Sequence, residues 1–131
     1  MIYSRIIGTG SYLPEKTLTN ADLEKIVDTS NEWIIERTGI HERHIANEKE
    51  TSSFMAAESA KLALEASDTD LNDIDLIIVA TCSPDMGFPS TACLVQKHLE
   101  LNKDCIAFDV VAACSGFVYA LSVADKFIKT K

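Results

Sequence analysis

The chain has 131 residues, about the length of one domain, and its 12 basic and 20 acidic residues give a formal net charge of −8. Apolar types make up 47% and charged types 24% of the residues, which is typical of a folded globular protein and excludes a disordered one. The acid excess argues against nucleic acid binding, and no apolar run approaches the roughly 18 residues that a membrane span needs.

Turn and cap signals divide the first 50 residues into short elements. The predicted elements are a strand over 2–7, a helix over 19–27, a helix over 29–39 and a strand over 40–46. The sequence Gly8-Thr9-Gly10 predicts a turn after the first strand, but it lacks the third glycine of a dinucleotide-binding fingerprint. In the second helix, Thr29 and Glu32 fit a capping box, and Gly39 fits a left-handed terminator.

The remaining residues alternate between predicted helices and strands. The predicted elements are a helix over 54–67 capped by Thr51 to Ser53, a strand over 75–81, a helix from Ser90 to about Leu99, a strand over 105–111 and a helix over 115–129. This order predicts an α/β fold with three strands in a parallel sheet. Unbroken apolar character in the last two strands predicts burial on both faces. No linker divides the chain, so residues 1–131 are predicted to form one domain.

The four cysteines, Cys82, Cys93, Cys105 and Cys114, are widely spaced. Zinc sites usually take their ligands in close pairs, so no metal site is predicted. The N-terminus has no basic region before its apolar residues, so no signal peptide is predicted and the expected compartment is the cytoplasm, where thiols stay free. The first three cysteines are expected to be core or loop thiols.

Cys114 stands out because of its neighbours in the sequence DVVAACSGF. An apolar strand ends in small residues, the cysteine falls at the predicted turn, and a long helix begins just after it. This pattern favours a nucleophile elbow, in which the helix N-terminus promotes thiolate formation and free backbone N–H groups stabilise an oxyanion. The alternative is a buried core cysteine in a tight turn.

No partner for Cys114 can be assigned by spacing from His41, His44 or His98. The first two flank Arg43 in a charged stretch and are expected to be solvated. His98 shares a helix with apolar residues, so a surface or packing role is expected.

Trp33 and Arg37 are four residues apart on one predicted helix and so share a face. An indole beside a guanidinium suits an adenine ring and a phosphate. The alternative is a half-buried tryptophan with the arginine stacked over it.

Four stretches together resemble one enzyme family. They are IIGTGSYLPE, TNADLEKIVDTSNEWIIERTGIHERHIA, LIIVATCSPDMGFPSTA and AFDVVAACSGFVYALSVAD. These stretches resemble β-ketoacyl-[acyl-carrier-protein] synthase III, the condensing enzyme that starts bacterial type II fatty acid synthesis. The resemblance covers essentially the whole chain in order, and its most specific motifs surround Trp33 and Cys114. His41 departs from the arginine that many relatives carry.

The resemblance implies a thiolase-like α/β fold, of which this chain would form part of the N-terminal half, with a mainly parallel sheet flanked by helices. It implies that Cys114 takes an acetyl or other short acyl group from coenzyme A as a thioester. It assigns Thr29, Trp33 and Arg37 to coenzyme A binding, and Phe88 to the partner's acyl pocket across a homodimer interface. The implied substrates are acetyl-coenzyme A and malonyl-acyl-carrier-protein, with no cofactor.

Chains of this family are more than twice as long, so the histidine and asparagine that act with the cysteine are expected beyond Lys131. Decarboxylative condensation by these 131 residues alone is therefore not expected, and uncovered apolar edges predict that the chain oligomerises, aggregates or needs its complement. Two alternatives stay open. One is a non-catalytic module that binds coenzyme A or a partner chain, and the other is a related condensing enzyme of secondary metabolism.

Overall fold

The computed structural model describes residues 3–101 and 104–130. It divides the chain into two compact units. The smaller unit is Leu13–Glu50, and the larger one comprises the residues up to Tyr12 and those from Thr51 onward. The prediction of a single domain over residues 1–131 stays a prediction.

The smaller unit consists of two short strands and two short helices. Strand β1 (Thr17–Thr19) pairs antiparallel with β2 (Glu42–His44), and the helices are α1 (Asn20–Glu24) and α2 (Asn31–Thr38). The predicted strand over 40–46 is thus shorter and contains only one of its two histidines. That residue, His44, is half-buried with Nδ1 2.6 Å from the Pro14 carbonyl oxygen, so the expectation that it is solvated was wrong.

Helix α1 begins with a complete capping box. The Thr19 hydroxyl accepts the Asp22 N–H, and the Asp22 carboxylate accepts the Thr19 N–H. Hydrogen bonds from the Thr19 hydroxyl and from Lys25 lower the pKa of Asp22 to about 2. The helix ends at Glu24, earlier than the predicted Val27.

The cap of α2 differs by one residue from the prediction. Ser30, not Thr29, is the N-cap, and its hydroxyl accepts the Trp33 N–H at 3.1 Å. The predicted box of Thr29 and Glu32 is therefore absent, and hydrogen bonds from its own backbone N–H and from the Asn31 side chain lower the pKa of Glu32. Gly39 ends the helix in the left-handed region at φ 70°, as predicted.

Buried Asn20 connects the elements of the smaller unit. Its Nδ2 donates to Asn31 Oδ1 at 3.0 Å and to the Ile40 carbonyl at 2.8 Å, while its Oδ1 accepts from Arg43. These bonds satisfy the side chain and attach both ends of α2 to α1 and β2. A buried polar group with all partners present stabilises one arrangement of the elements around it.

The larger unit alternates helices and strands in the predicted order. Its elements are α3 (Ser52–Ser67), β3 (Leu76–Ala80), α4 (Thr91–His98), β4 (Ile106–Val110) and α5 (Gly116–Lys129), with 3-10 turns at Leu71–Asp73 and Ala113–Ser115. Strands β3 and β4 are parallel, with Leu76 opposite Ile106 and Ala80 opposite Val110. The core lies where Ala57 of α3 packs with Val95 and Leu99 at α4.

Two predictions about the sheet were wrong. The strands are only half-buried, and the described sheet has two strands where three were predicted. Residues 3–7 form no ladder; residue 2 lies outside the described residues. The physical reason is the close approach of the chain to α3 at the neighbouring glycines, where a Cβ on Gly8 would overlap the Ala63 carbonyl oxygen and one on Gly10 would overlap that of Ser59. The segment therefore lies directly on α3 and does not pair with β3.

Candidate active site

Cys114 lies on the 3-10 turn Ala113–Ser115 that joins β4 to α5. Its side chain is exposed, so the alternative of a buried core cysteine is excluded for this structure. The turn is closed by the Ser115 N–H, which donates to the Ala112 carbonyl at 2.9 Å. The predicted strand–turn–helix arrangement is therefore present, with the thiol at the carboxyl end of a parallel strand.

The residue before the thiol has an unfavourable backbone conformation. Ala113 has φ 46°, in the left-handed region that residues with a Cβ seldom adopt. Strained backbone of this kind persists only where the surrounding structure imposes it, and it is frequent at nucleophile elbows. The same left-handed region is adopted at two helix ends, by Asp68 and Glu100, so at Ala113 it describes the turn that carries Cys114 and leaves the role of the thiol a prediction.

Helix α5 begins in close contact with the sheet. A Cβ on Gly116 would lie 3.3 Å from the Ala80 Cβ, closer than ordinary van der Waals contact. The first residue of the helix therefore favours glycine. Ser115, the N-cap residue, makes no side-chain capping bond, and the Gly116 N–H donates to the Ala113 carbonyl. The N-terminus of α5, which carries a partial positive charge, begins two residues after Cys114.

An open cavity of about 970 Å³ adjoins Cys114. Small and apolar side chains of β3, α3 and α5 line most of it, among them Ala56, Ala60, Ile78, Phe117 and Ala124. A short acyl group bound to the thiol would find apolar surface here.

Asp109 on β4 positions the neighbouring helix and was missed in the sequence. Its carboxylate accepts the N–H groups of Thr91 at 2.7 Å and of Ala92 at 2.8 Å, the first two residues of α4. The acid thus attaches α4 to the strand that leads to Cys114. The available signal was an acidic residue inside an otherwise apolar strand, because a carboxylate that is partly removed from water needs such donors.

The predicted coenzyme A residues lie together in the smaller unit. Thr29 and Trp33 line one cavity of about 350 Å³, and the Arg37 guanidinium carbon is 5.9 Å from the centre of the indole ring. Trp33 is 55% exposed, which leaves ring surface for another flat group. The structure is thus partly consistent with both hypotheses for the pair. The Arg37 guanidinium lies over the Trp33 ring, as in a stacked pair, and the ring still has surface accessible to an adenine. Cys114 belongs to the larger unit.

Phe88 lies in the loop between β3 and α4 and is 89% exposed. Among the described residues that line the cavity beside Cys114, Phe88 does not occur. Its assignment to a partner's acyl pocket stays a prediction.

No group of three His, Cys, Asp or Glu residues able to hold a metal occurs in 3–101 and 104–130, and no helix within that range is long and apolar enough to cross a membrane.

Comparison with known proteins agrees with this geometry. The family model described as 3-oxoacyl-[acyl-carrier-protein (ACP)] synthase III matches residues 108–131, which include the Cys114 turn and α5. The β-ketoacyl-[acyl-carrier-protein] synthase III of Thiobacillus denitrificans is 60% identical over 129 residues, 98% of this chain and 40% of that protein. The protein of the same name from Pasteurella multocida is 63% identical over equal shares.

Solved structures give the same result. The 3-oxoacyl-[acyl-carrier-protein] synthase III of Aquifex aeolicus superposes with a TM-score of 0.90 at 59% identity, over 95% of this chain and 40% of that one. A priming β-ketosynthase of a polyketide pathway superposes with a TM-score of 0.88 at 35% identity, over 95% and 37%. The chain spans about two fifths of the relatives it matches. Along nearly all of its own length, it is thus homologous in sequence and thiolase-like fold to β-ketoacyl-[acyl-carrier-protein] synthase III.

Proposed function

We propose that this chain provides the acyl-accepting cysteine and the coenzyme A-binding helix of a β-ketoacyl-[acyl-carrier-protein] synthase III. The observation that carries the proposal is the exposed thiol of Cys114 on a strained strand-to-helix turn, beside a cavity lined mainly by small apolar residues.

In the proposed acyl transfer, the Cys114 thiolate attacks the carbonyl carbon of acetyl-coenzyme A or another short acyl-coenzyme A. A tetrahedral intermediate forms, and the partial positive charge at the N-terminus of α5 stabilises its oxyanion. The bond between the carbonyl carbon and the coenzyme A sulfur then breaks. Coenzyme A leaves as a thiolate and takes up a proton, while the acyl group stays on Cys114 as a thioester. The coenzyme A thioester is a substrate, and no cofactor is needed.

Coenzyme A would bind at α2. The exposed face of Trp33 stacks with the adenine ring, Arg37 pairs with phosphate, and Thr29 lines the cavity next to the indole. The positive charge of Arg37 suits the phosphates, in a chain whose net charge is −8.

In the whole protein, the acyl-cysteine would condense with malonyl-acyl-carrier-protein. Loss of CO2 from the malonyl group gives a carbanion that attacks the thioester, and 3-oxoacyl-acyl-carrier-protein is released with the thiol restored. The proposed assembly is a cytoplasmic homodimer in which Phe88 of each protomer enters the acyl pocket of the other.

The test is intact mass spectrometry of the chain after incubation with acetyl-coenzyme A, followed by peptide mapping. We expect the mass of one acetyl group, located on Cys114, and its loss in Cys114→Ala. Cys82 is also an exposed thiol, so Cys82→Ala is the matched control and should be acylated like the parent chain. Acetylation of both exposed thiols, Cys82 and Cys114, would contradict the proposal, because exposure alone would then explain the adducts. Binding of coenzyme A without any adduct would support the non-catalytic alternative.

A second candidate within the same chemistry is a priming condensing enzyme of secondary metabolism. The likeness to the polyketide priming β-ketosynthase favours it. The two candidates differ in the acyl group loaded, so acetyl-coenzyme A and longer acyl-coenzyme A esters should be offered together. Preference for the acetyl ester supports the fatty acid enzyme, and preference for a longer ester supports the second candidate.

A further inference from the structure

The loop between β3 and α4, residues 81–90, is attached to the start of α3. The Asp85 carboxylate accepts the Ser53 backbone N–H at 2.9 Å and the Ser53 hydroxyl at 2.6 Å. The Ser52 hydroxyl donates to the Ser83 carbonyl at 2.7 Å. Two consecutive residues of α3 therefore hold two points of the loop, Ser83 and Asp85.

Ser53 stands at the centre of this attachment and is only 1% exposed. Its hydroxyl oxygen is also 3.1 Å from His98 Nε2, on α4. A hydroxyl has one proton, and the short bond to Asp85 uses it. His98 Nε2 must then carry a hydrogen and donate to Ser53. The bonds run in one direction, from His98 through Ser53 to Asp85, and connect α4, α3 and the loop.

The charge on Asp85 suits its place. Burial would raise the pKa of this carboxyl, but the hydrogen bonds from Ser53 and Thr51 outweigh burial and hold the pKa below its usual range. The carboxylate also lies at the N-terminus of α3, where the helix dipole favours negative charge. Asp85 is thus a charged anchor at neutral pH.

These three residues resemble the members of a hydrolytic triad in type but not in arrangement. In such a triad the histidine stands between the acid and the serine, whereas here the serine stands between the other two. Ser53 is also buried and could not reach a substrate. Its cluster with Asp85 and His98 therefore has a positioning role.

We propose that Asp85 is the positioning residue for Phe88, three residues further along the same loop. The Phe88 ring is 89% exposed, so packing does little to fix it, and its place depends on the loop backbone. Beyond Phe88, the loop is held again where Ser90 caps α4. The inference rests on the proposed function only in its last step, in which the placement of Phe88 sets the acyl groups that the partner's pocket accepts.

The test measures backbone order on the full chain by 15N relaxation at Gly87 and Phe88. In the parent chain we expect order parameters of about 0.85 at both, and in Asp85→Ala values below about 0.6. Hydrogen exchange of the Ser53 N–H should speed up by about tenfold or more, because its acceptor is gone. The isosteric Asp85→Asn retains one acceptor oxygen, so it should fold and give values between the two. Asp104→Ala, at an exposed aspartate outside the loop, is the matched control and should change neither quantity.

Unchanged order at Phe88 in both Asp85 variants would overturn the proposal, whatever the outcome of the acylation test. If Cys114 is acylated, Asp85→Ala should change the ratio of acetyl to longer-chain loading in the same direction as Phe88→Ala. A more mobile loop with an unchanged ratio of acetyl to longer-chain loading would overturn only the last step, in which the placement of Phe88 sets the acyl groups that are accepted. Failure of acylation in the parent chain would contradict the proposed function and leave the relaxation result standing.

Discussion

The conformation of one small residue gives the sharpest test of the Cys114 turn. Ala113 is exposed and has φ 46°, which disfavours any residue with a branched Cβ. We expect Ala113→Val to lower the free energy of unfolding by about 1 to 2 kcal/mol. Ala113→Gly should leave it equal or slightly raised, since relief of strain and greater freedom of the unfolded chain oppose each other. Urea denaturation measures both.

The control lies one residue earlier. Ala112 has φ −146°, so Ala112→Val introduces the same side chain without entering the left-handed region. Equal losses of unfolding free energy in Ala112→Val and Ala113→Val would show that the bulk of the side chain, and not backbone strain, causes the effect. At this scale the sequence predicted the strand–turn–helix placement of Cys114 from its small neighbours, while the role of the thiol stays a prediction. It could not reveal the strain at Ala113, because alanine has no intrinsic preference for positive φ.

Among the helices, α4 depends most clearly on a residue outside itself. Asp109 is the acceptor for its first two N–H groups, which belong to the buried residues Thr91 and Ala92. Asp109→Ala should cost about 2 to 4 kcal/mol of unfolding free energy, because two buried donors lose their partner. Asp109→Asn retains one acceptor oxygen and should cost about half as much. Asp73→Ala, at an exposed aspartate, is the control, and an equally large loss there would contradict the assignment.

Helices were more predictable than strands because their signals are local. Serine and threonine caps set the starts of α3 and α4, and Gly39 sets the end of α2. The cap of α2 was misplaced because Thr29 and Ser30 are both good N-caps and stand next to each other in the sequence. The strand over 2–7 failed for a non-local reason, since pairing needs an adjacent edge and the glycines bring this segment onto α3.

At the scale of the whole molecule, exposed apolar side chains and net charge have opposite effects on self-association. Several large apolar side chains of α5 face solvent, with Val118 63% and Tyr119 57% exposed. Patches of this kind favour self-association, while the net charge of −8 makes copies of the chain repel. We expect the 131-residue chain to self-associate with increasing concentration, and more strongly as added salt screens the repulsion. Sedimentation velocity over a range of protein and salt concentrations measures both.

Substitution of the patch provides the control for association. Val118→Lys and Tyr119→Lys should each weaken it, whereas Leu62→Lys, at an exposed apolar residue of α3, should have a smaller effect. A monomer at every concentration and salt level would disprove the prediction. The sequence predicted uncovered apolar strand edges from the greater length of family members, but which face of α5 is exposed depends on neighbours that are distant in the chain.

The hydrogen bonds that α4 donates to Asp109 also imply an order in which parts of the protein become stable during folding. A helix of eight residues is barely stable by itself in water. Its first turn acquires an acceptor only when a residue 17 or 18 positions later reaches the sheet. During synthesis, α4 therefore leaves the ribosome before the residue that stabilises its first turn. The helix should become stable in the step that pairs β4 with β3, the same step that brings the Cys114 turn to the edge of the sheet.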